Sequence, residues 1–156
     1  MRLRNKVAII TGAARGIGAA FAVGFAKEGA KIVIGDIQDG KETVDLVEKS
    51  GSKAIFVKTD VSKQDQCDFL AKTAVDRFGS IDILVNNAGM FANIILRPFT
   101  EISTEEGMRV MEVNTAGPFH CTKAAFLYMK EKGGKIINLS SASIFEGVPG
   151  MPHYVA

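Results

Sequence analysis

Three groups of residues in this sequence have types and spacings that could do chemistry. The first is the run Thr11-Gly12-Ala13-Ala14-Arg15-Gly16-Ile17-Gly18. A glycine-rich turn between a strand and a helix lets a pyrophosphate approach the backbone closely. The free N–H groups and positive end of the helix favour its charge. The second is Asn86-Asn87-Ala88-Gly89, a loop-forming pair of asparagines. The third is Ser141 with Tyr154, thirteen residues apart. A dinucleotide turn, an asparagine loop and a Ser/Tyr pair, in this order, point to an oxidoreductase. A tyrosine base on a helix wants a lysine one turn later. Position 158 lies past Ala156.

The glycine spacing is G-x-x-x-G-x-G, not the commoner G-x-G-x-x-G. A glycine cluster alone says little. Here a strand precedes it, a helix follows it, and an acid closes the next strand. Asp36 is that acid. Its carboxylate can accept bonds from the adenosine ribose hydroxyls and would repel a 2′-phosphate, which favours NAD over NADP. Arg15 pulls the other way, because a cation in the loop could meet a 2′-phosphate. With Asp36 present, Arg15 reads as a solvated or phosphate-neighbouring residue. Asp60, followed by Val61, can bond the adenine amino group or cap a helix. Ser62 is the stronger cap candidate for the helix that follows, since Asp65 stands at its third position.

The elements that must hold these groups alternate in type. Buried strands are expected at Lys6–Thr11, Lys31–Asp36, Ala54–Asp60, Asp82–Asn86 and Lys135–Ser140. Helices are expected at Gly16–Glu28, Gly40–Ser50 and Lys63–Phe78, where apolar residues recur at helical spacing. Ser103-Thr104-Glu105-Glu106 has the form of a capping box. It opens a helical region from about Thr104 to Lys132, weakened near Gly117-Pro118 and ended by Gly133-Gly134. Strands alternating with helices predict an α/β fold, a doubly wound parallel sheet covered on both faces. Ligands bind such sheets beyond the carboxyl ends of the strands. Residues 1–156 read as a single domain.

Composition excludes several classes. The chain has 156 residues, 47% apolar and 23% charged, with a net charge of +2. That charge is too small to argue for nucleic acid or an anionic membrane. No apolar run is long enough to span a bilayer. Val7 to Ile10 is too short for the core of a signal peptide. Cys67 and Cys121 lie far apart in sequence with no His/Cys cluster near either, so no metal site is expected. Both read as reduced, structural thiols of a cytoplasmic protein.

With these residues in this order, the chain resembles the short-chain dehydrogenase/reductase family over its whole length. The resemblance rests on Thr11 to Gly18, Asp60, Asn86 to Gly89, Asn114, the strand end Ile137 to Ser141, and Tyr154. It implies a Rossmann-type sheet and hydride transfer between a nicotinamide and a secondary alcohol or ketone. It also implies a homo-oligomer, dimer or tetramer. Gly12, Gly16 and Gly18 correspond to the cofactor loop, with Ile17 supporting its backbone on the nicotinamide side. Asp36, Asp60 and Val61 fall at the adenosine. Asn87, Ala88 and Gly89, with Asn86, pass beside the ribose and stabilise the sheet. Asn114 corresponds to an asparagine that holds a water for proton relay. Ser141 and Tyr154 correspond to the catalytic pair. Ser141 bonds the substrate oxygen, and Tyr154 takes the hydroxyl proton and also contacts the cofactor. An unperturbed tyrosine titrates near pH ~10, so a lysine and the nicotinamide charge are needed to lower it. Ser140 and Ser143 are rivals for the serine role.

Other residues have open readings. His153 could shape the substrate pocket or lie at the surface. His120 packs or faces solvent. Phe91, Ile94 to Leu96 and the loop Ile144 to Pro152 are candidates for an apolar substrate lining. The helix from Met108 to Met129 offers an apolar face to a partner or to the core. The missing lysine, and the strands that complete such a sheet, are expected in a further C-terminal part. Three residues cannot nucleate a helix around Tyr154, and the fifth strand would otherwise be an apolar edge. The competing reading is a nucleotide-binding fragment or subunit without a working base.

Overall fold

The computed structural model describes residues 1–92 and 94–156. Strands β1 (Val7–Thr11), β2 (Lys31–Asp36), β3 (Ala54–Lys58), β4 (Ile83–Asn86) and β5 (Lys135–Asn138) form one parallel sheet. Their order is β3-β2-β1-β4-β5. The chain works outward from β1 to β3, then returns to the other side of β1 for β4. The order therefore reverses between β1 and β4, which is where sheets of this type open a binding crevice.

Helices α1 (Gly16–Lys27), α2 (Lys41–Lys49) and α3 (Gln64–Phe78) connect the first four strands. Helices α4 (Thr104–Met111) and α5 (Gly117–Met129) precede β5. Two short turns follow it, α6 (Ser143–Glu146) and α7 (Pro152–Val155). Alternate residues of the strands feed two cores. Val7 and Ile9, with Val33 and Val57, pack against Leu70, Ala71 and Ala74 of α3 and Ala124 and Ala125 of α5. Ala8 and Ile10, with Ile32 and Ile34, pack against Ala22 and Ala26 of α1 and Val47 of α2. Burial on both faces explains why β1 reads as an unbroken apolar run, not as an alternating one.

Three expectations need correction. The third strand ends at Lys58, so Asp60 lies beyond the ladder in the turn to α3. Ser62 does not cap α3. Lys63 holds that position without a side-chain bond, because the Ser62 hydroxyl points back to Asp60 Oδ1 at 2.7 Å. The long helical region is not continuous. Residues Glu112–Ala116 form a π-helical turn between α4 and α5. Pro118 has no N–H to give the Asn114 carbonyl, so the regular ladder cannot run through this point. The capping box at α4 is half made. Ser103 Oγ accepts the Glu106 N–H at 3.1 Å, but the Glu106 carboxylate is drawn off to Arg97 and His153.

Candidate active site

A cleft of about 510 Å³ opens over the carboxyl ends of β1 to β4. Gly12, Arg15, Gly16, Ile17, Gly18, Asp36, Asp60, Val61, Asn87, Ala88 and Gly89 all line it. The residues read from sequence as cofactor-binding thus meet in one place, with the exception of Tyr154.

The glycine turn is shaped by close backbone approach. Gly12 has φ +64°, and a Cβ on it would stand 2.7 Å from Ala88 Cα. A Cβ on Gly18 would stand 2.3 Å from the Gly12 carbonyl oxygen and 2.6 Å from Asn87 Nδ2. Asn87 is the strap across the reversal point. Its Nδ2 donates to the carbonyls of Thr11 and Gly12, both at 2.9 Å. Thr11 Oγ1 accepts the N–H groups of Asn87 and Ala88, both at 3.1 Å. Asn86 is buried and donates to Asn138 Oδ1 at 2.8 Å, tying β4 to β5. Arg15 stands at the N-cap of α1 without a side-chain cap bond, so among the described residues it leaves the first N–H groups of the helix uncapped. An anion at this point would satisfy them.

Asp36 braces the turn from the end of β2. Its two oxygens accept from the N–H groups of Ala14 and Gln38, each at 2.9 Å. A carboxylate has about four acceptor positions, so two remain for ribose hydroxyls. Arg15 is exposed and lines the same cleft. At the β3 end, Asp60 Oδ1 accepts from the N–H and hydroxyl of Ser62, and Oδ2 accepts from Arg109 Nη2 at 2.9 Å. Burial alone would raise the Asp60 carboxyl. The bonds from Ser62 and Arg109 outweigh it and hold the group below its ordinary value. A pyrophosphate seat, a ribose acceptor and an adenine-side acceptor in one cleft fit a nicotinamide dinucleotide.

The candidate catalytic residues lie to one side of this cleft. Tyr154 sits in α7, its N–H donating to the Met151 carbonyl at 3.0 Å. Its ring packs on Phe91 with centroids 5.1 Å apart, and Phe91 itself lines the cleft. Ser141 follows β5. Its Oγ accepts from the Ser143 hydroxyl at 2.9 Å, so the rival serine is a neighbour that orients it. No hydrogen bond joins Ser141 to Tyr154 among the described residues. Asn114 lies in the π turn. It accepts the Met90 N–H at 2.7 Å and donates to the Met90 carbonyl at 3.2 Å, which anchors the segment leading to Phe91.

Phe91 and Ile94, candidates for the substrate lining, line the cleft. Gly147 to Pro149 and Pro152 instead border a shallow apolar hollow with Val155 and Ala156. His153 is not at the surface. Its side chain is 7% exposed, with Nε2 3.3 Å from Glu106 Oε1 but not aligned as a hydrogen bond. Glu106 also pairs with Arg97. His120 packs inward, Nδ1 3.0 Å from the Val61 carbonyl oxygen. Cys67 and Cys121, distant in sequence, meet with their sulfurs 3.4 Å apart. That contact, with burial, pushes the Cys121 thiol well above its ordinary value.

Thr11, Arg109 and Glu106 shape the site, although none of them was assigned a role of its own there from sequence. Thr11 was readable as the head of the glycine run. Arg109 carries no local signal and Glu106 signals only a helix start, since each acts on a residue in another element. Among the described residues no cluster of His, Cys, Asp or Glu could hold a metal ion, and no helix is long and apolar enough to cross a membrane.

The family description "short chain dehydrogenase" matches residues 6–156. The chain is 46% identical over 143 residues to a galactitol 2-dehydrogenase of Agrobacterium fabrum, covering 90% of this chain and 54% of that protein. It is 39% identical over 158 residues to a 3-oxoacyl-[acyl-carrier-protein] reductase of Synechocystis, covering 99% of this chain and 63% of that one. An NAD+-bound xylitol dehydrogenase superposes with a TM-score of 0.93 at 30% identity, covering 99% of this chain and 60% of that one. The chain therefore spans little more than half the length of the curated relatives it matches. It belongs to the short chain dehydrogenase family of oxidoreductases, with the Rossmann-type sheet expected of it.

Proposed function

We propose that this protein transfers a hydride between NAD(H) and a secondary alcohol or ketone. The cleft carries this reading, because it gathers the glycine turn, Asp36, Asp60 and the Asn87 strap over the strand ends. The nicotinamide, when bound, supplies the hydride acceptor or donor. Gly12 to Gly18 and the uncapped start of α1 seat the pyrophosphate. The Asp36 carboxylate takes the ribose hydroxyls and repels a 2′-phosphate, which supports NAD over NADP.

Ser141 holds the substrate oxygen, and Tyr154 takes or returns the hydroxyl proton. Asn114 anchors the Met90–Phe91 segment against Tyr154 and belongs to the path by which that proton leaves. A cation beside the tyrosine is required, and a lysine one turn further along is its assigned source. A polyhydroxy alcohol is the favoured substrate class, supported by relatives named for galactitol and xylitol. Residues 1–156 act as one NAD(P)-binding domain. The open apolar face of the α4–α5 region, with Met108, Phe119 and Leu127 exposed, supports a homo-oligomer.

The test is NAD reduction by the full-length protein across a panel of polyols, with a 3-oxoacyl thioester assayed in the reverse direction. Tyr154→Phe removes the proton acceptor and should lower turnover by about 10²–10⁴-fold, the usual worth of a positioned acid–base group. NAD affinity should hardly change. Binding of NAD without turnover of any alcohol or ketone would mark a nucleotide-binding subunit. Unchanged turnover in Tyr154→Phe would overturn the assignment of the base.

A further inference from the structure

We propose that Arg109 is a positioning residue for adenine recognition, holding the Asp60 carboxylate in the one orientation that accepts the 6-amino group. This rests on the dinucleotide reading of the cleft and deepens it.

An aspartate at the end of a strand can rotate about two side-chain bonds. Here neither oxygen is free to do so. Oδ1 takes two bonds, from the Ser62 N–H at 3.0 Å and the Ser62 hydroxyl at 2.7 Å. Oδ2 takes one, from Arg109 Nη2 at 2.9 Å. The other guanidinium nitrogen, Nη1, donates to Ser62 Oγ at 2.7 Å and approaches Glu112 Oε2 at 3.3 Å. Arg109 therefore grips the acid and the residue that orients it together. A carboxylate has about four acceptor positions. Three are filled by the protein, which leaves a single acceptor position in a fixed place. Asp60 and Arg109 both line the cleft, so that position is available to a ligand.

The rest of the wall behaves the same way. A Cβ on Gly117 would stand 2.7 Å from Val61 Cγ2, so α5 seats directly on Val61. His120 Nδ1 lies 3.0 Å from the Val61 carbonyl oxygen. The α4–α5 region thus fixes Asp60, Val61 and Ser62 from behind at three points. Stability does not explain the arginine. The Arg109 side chain is 39% exposed, and an ion pair so exposed contributes little to folding. A planar guanidinium does supply two directed donors at a fixed angle, which a lysine cannot.

The probes are NAD and nicotinamide hypoxanthine dinucleotide, in which an oxygen replaces the 6-amino group. Dissociation constants are measured on the full-length protein. The wild type should favour NAD by about tenfold, the size of one hydrogen bond. In Arg109→Leu the ratio should fall towards one, while affinity for the hypoxanthine cofactor stays within about twofold, since only the amino contact is lost. Arg109→Lys should recover part of the ratio and serves if the leucine variant does not fold. Asp60→Ala should abolish the ratio. A wild-type ratio kept in both Arg109 variants but lost in Asp60→Ala overturns the proposal and leaves the adenine role of Asp60 standing. Equal weakening of both cofactors also overturns it, because it shows a merely structural arginine. Failure of the wild type to bind either cofactor would instead sink the dinucleotide reading itself.

Discussion

The strands under the cofactor cleft and the strand under Ser141 are built differently. Every residue of β1 and β4 is buried, as are the four inner residues of β2. Every residue of β5 is exposed, with Ile136 and Ile137 among the open apolar side chains. The cleft rests on strands that helices α1, α2 and α3 already cover. Ser141 and Tyr154 rest on β5 and on a four-residue turn, held by Phe91, by Asn114 through Met90, and by the Glu106 contact with His153. On the proposed reading, cofactor binding is assembled by the first four strands and their helices, and the proton chemistry would be hung on their flank. The two should be separable by mutation.

Gly18→Ala is the strongest way to break that separation. The new Cβ would collide with the Gly12 carbonyl and with Asn87 Nδ2, the strap of the cleft. It would also stand 2.8 Å from Ala13 Cα; this atom and the Gly12 carbonyl belong to the turn itself, so relief requires the turn to shift. Overpacking of this kind costs about 1–3 kcal/mol of stability. NAD affinity should drop by about tenfold or more, if a similar cost is felt at the site. Thermal unfolding and NAD titration read the two effects. The KM for the alcohol, measured at saturating NAD, should stay near the wild-type value. A matching rise in that KM would show that cleft and flank are one unit.

The same contrast explains what could be read from the sequence. The glycine run, Asp36 and Asn87 each announce themselves within a few residues of a strand end, because turn chemistry and burial on both faces are local demands. The part of the cleft wall built from Gly12 to Gly18, Asp36 and Asn87 was therefore legible. Asp60 was visible as a candidate, but its partner Arg109 was not. That bond crosses from α4 to the turn after β3, and no helical periodicity marks it. Ser62 misled for the same reason. Its capping pattern is local, and the longer-range pull of Asp60 and Arg109 wins. Pro118 signalled an irregularity, yet the π turn lies just ahead of it, where the carbonyl loses its donor. On the flank, His153 could be read as surface or pocket only until Glu106 was seen to face it.

Asp36→Asn sharpens the comparison with a smaller effect. The amide keeps an oxygen for the Ala14 N–H but removes the charge. Loss of one negative charge near a 2′-phosphate is worth about 1–2 kcal/mol at a partly exposed site, or roughly ten- to thirty-fold. The ratio of NAD to NADP affinity should fall by that factor. Turnover at saturating cofactor should be almost unchanged, since Tyr154 and Ser141 do not touch Asp36. A preference that does not move would transfer the choice of cofactor to Arg15 or to residues beyond the cleft.

The smallest effect is expected at the opposite end of the sheet. Asp82 precedes β4 and accepts from the Val7 N–H and from Lys6 Nζ, both at 2.9 Å. Burial alone would raise its carboxyl. The bonds from Val7, Lys6 and Ser80 prevail and hold it below the ordinary value of 3.8. A lowered folded-state value means that this stabilisation is present above the unfolded value. It disappears as pH falls through the folded one. Asp82→Asn should therefore cost on the order of 1 kcal/mol at neutral pH, the worth of an exposed charge-assisted hydrogen bond. The gap from the wild type should close below about pH 3.8, as urea midpoints measured from neutral to acid pH would show. Asp60 is unchanged in both proteins, so each should keep some acid sensitivity of its own. Cofactor affinity and turnover should be equal in the two, because Asp82 braces the amino ends of strands whose carboxyl ends carry the site. A change in either would mean that strain at one end of β1 and β4 reaches the cleft at the other, and the strands could then no longer be treated as a rigid floor.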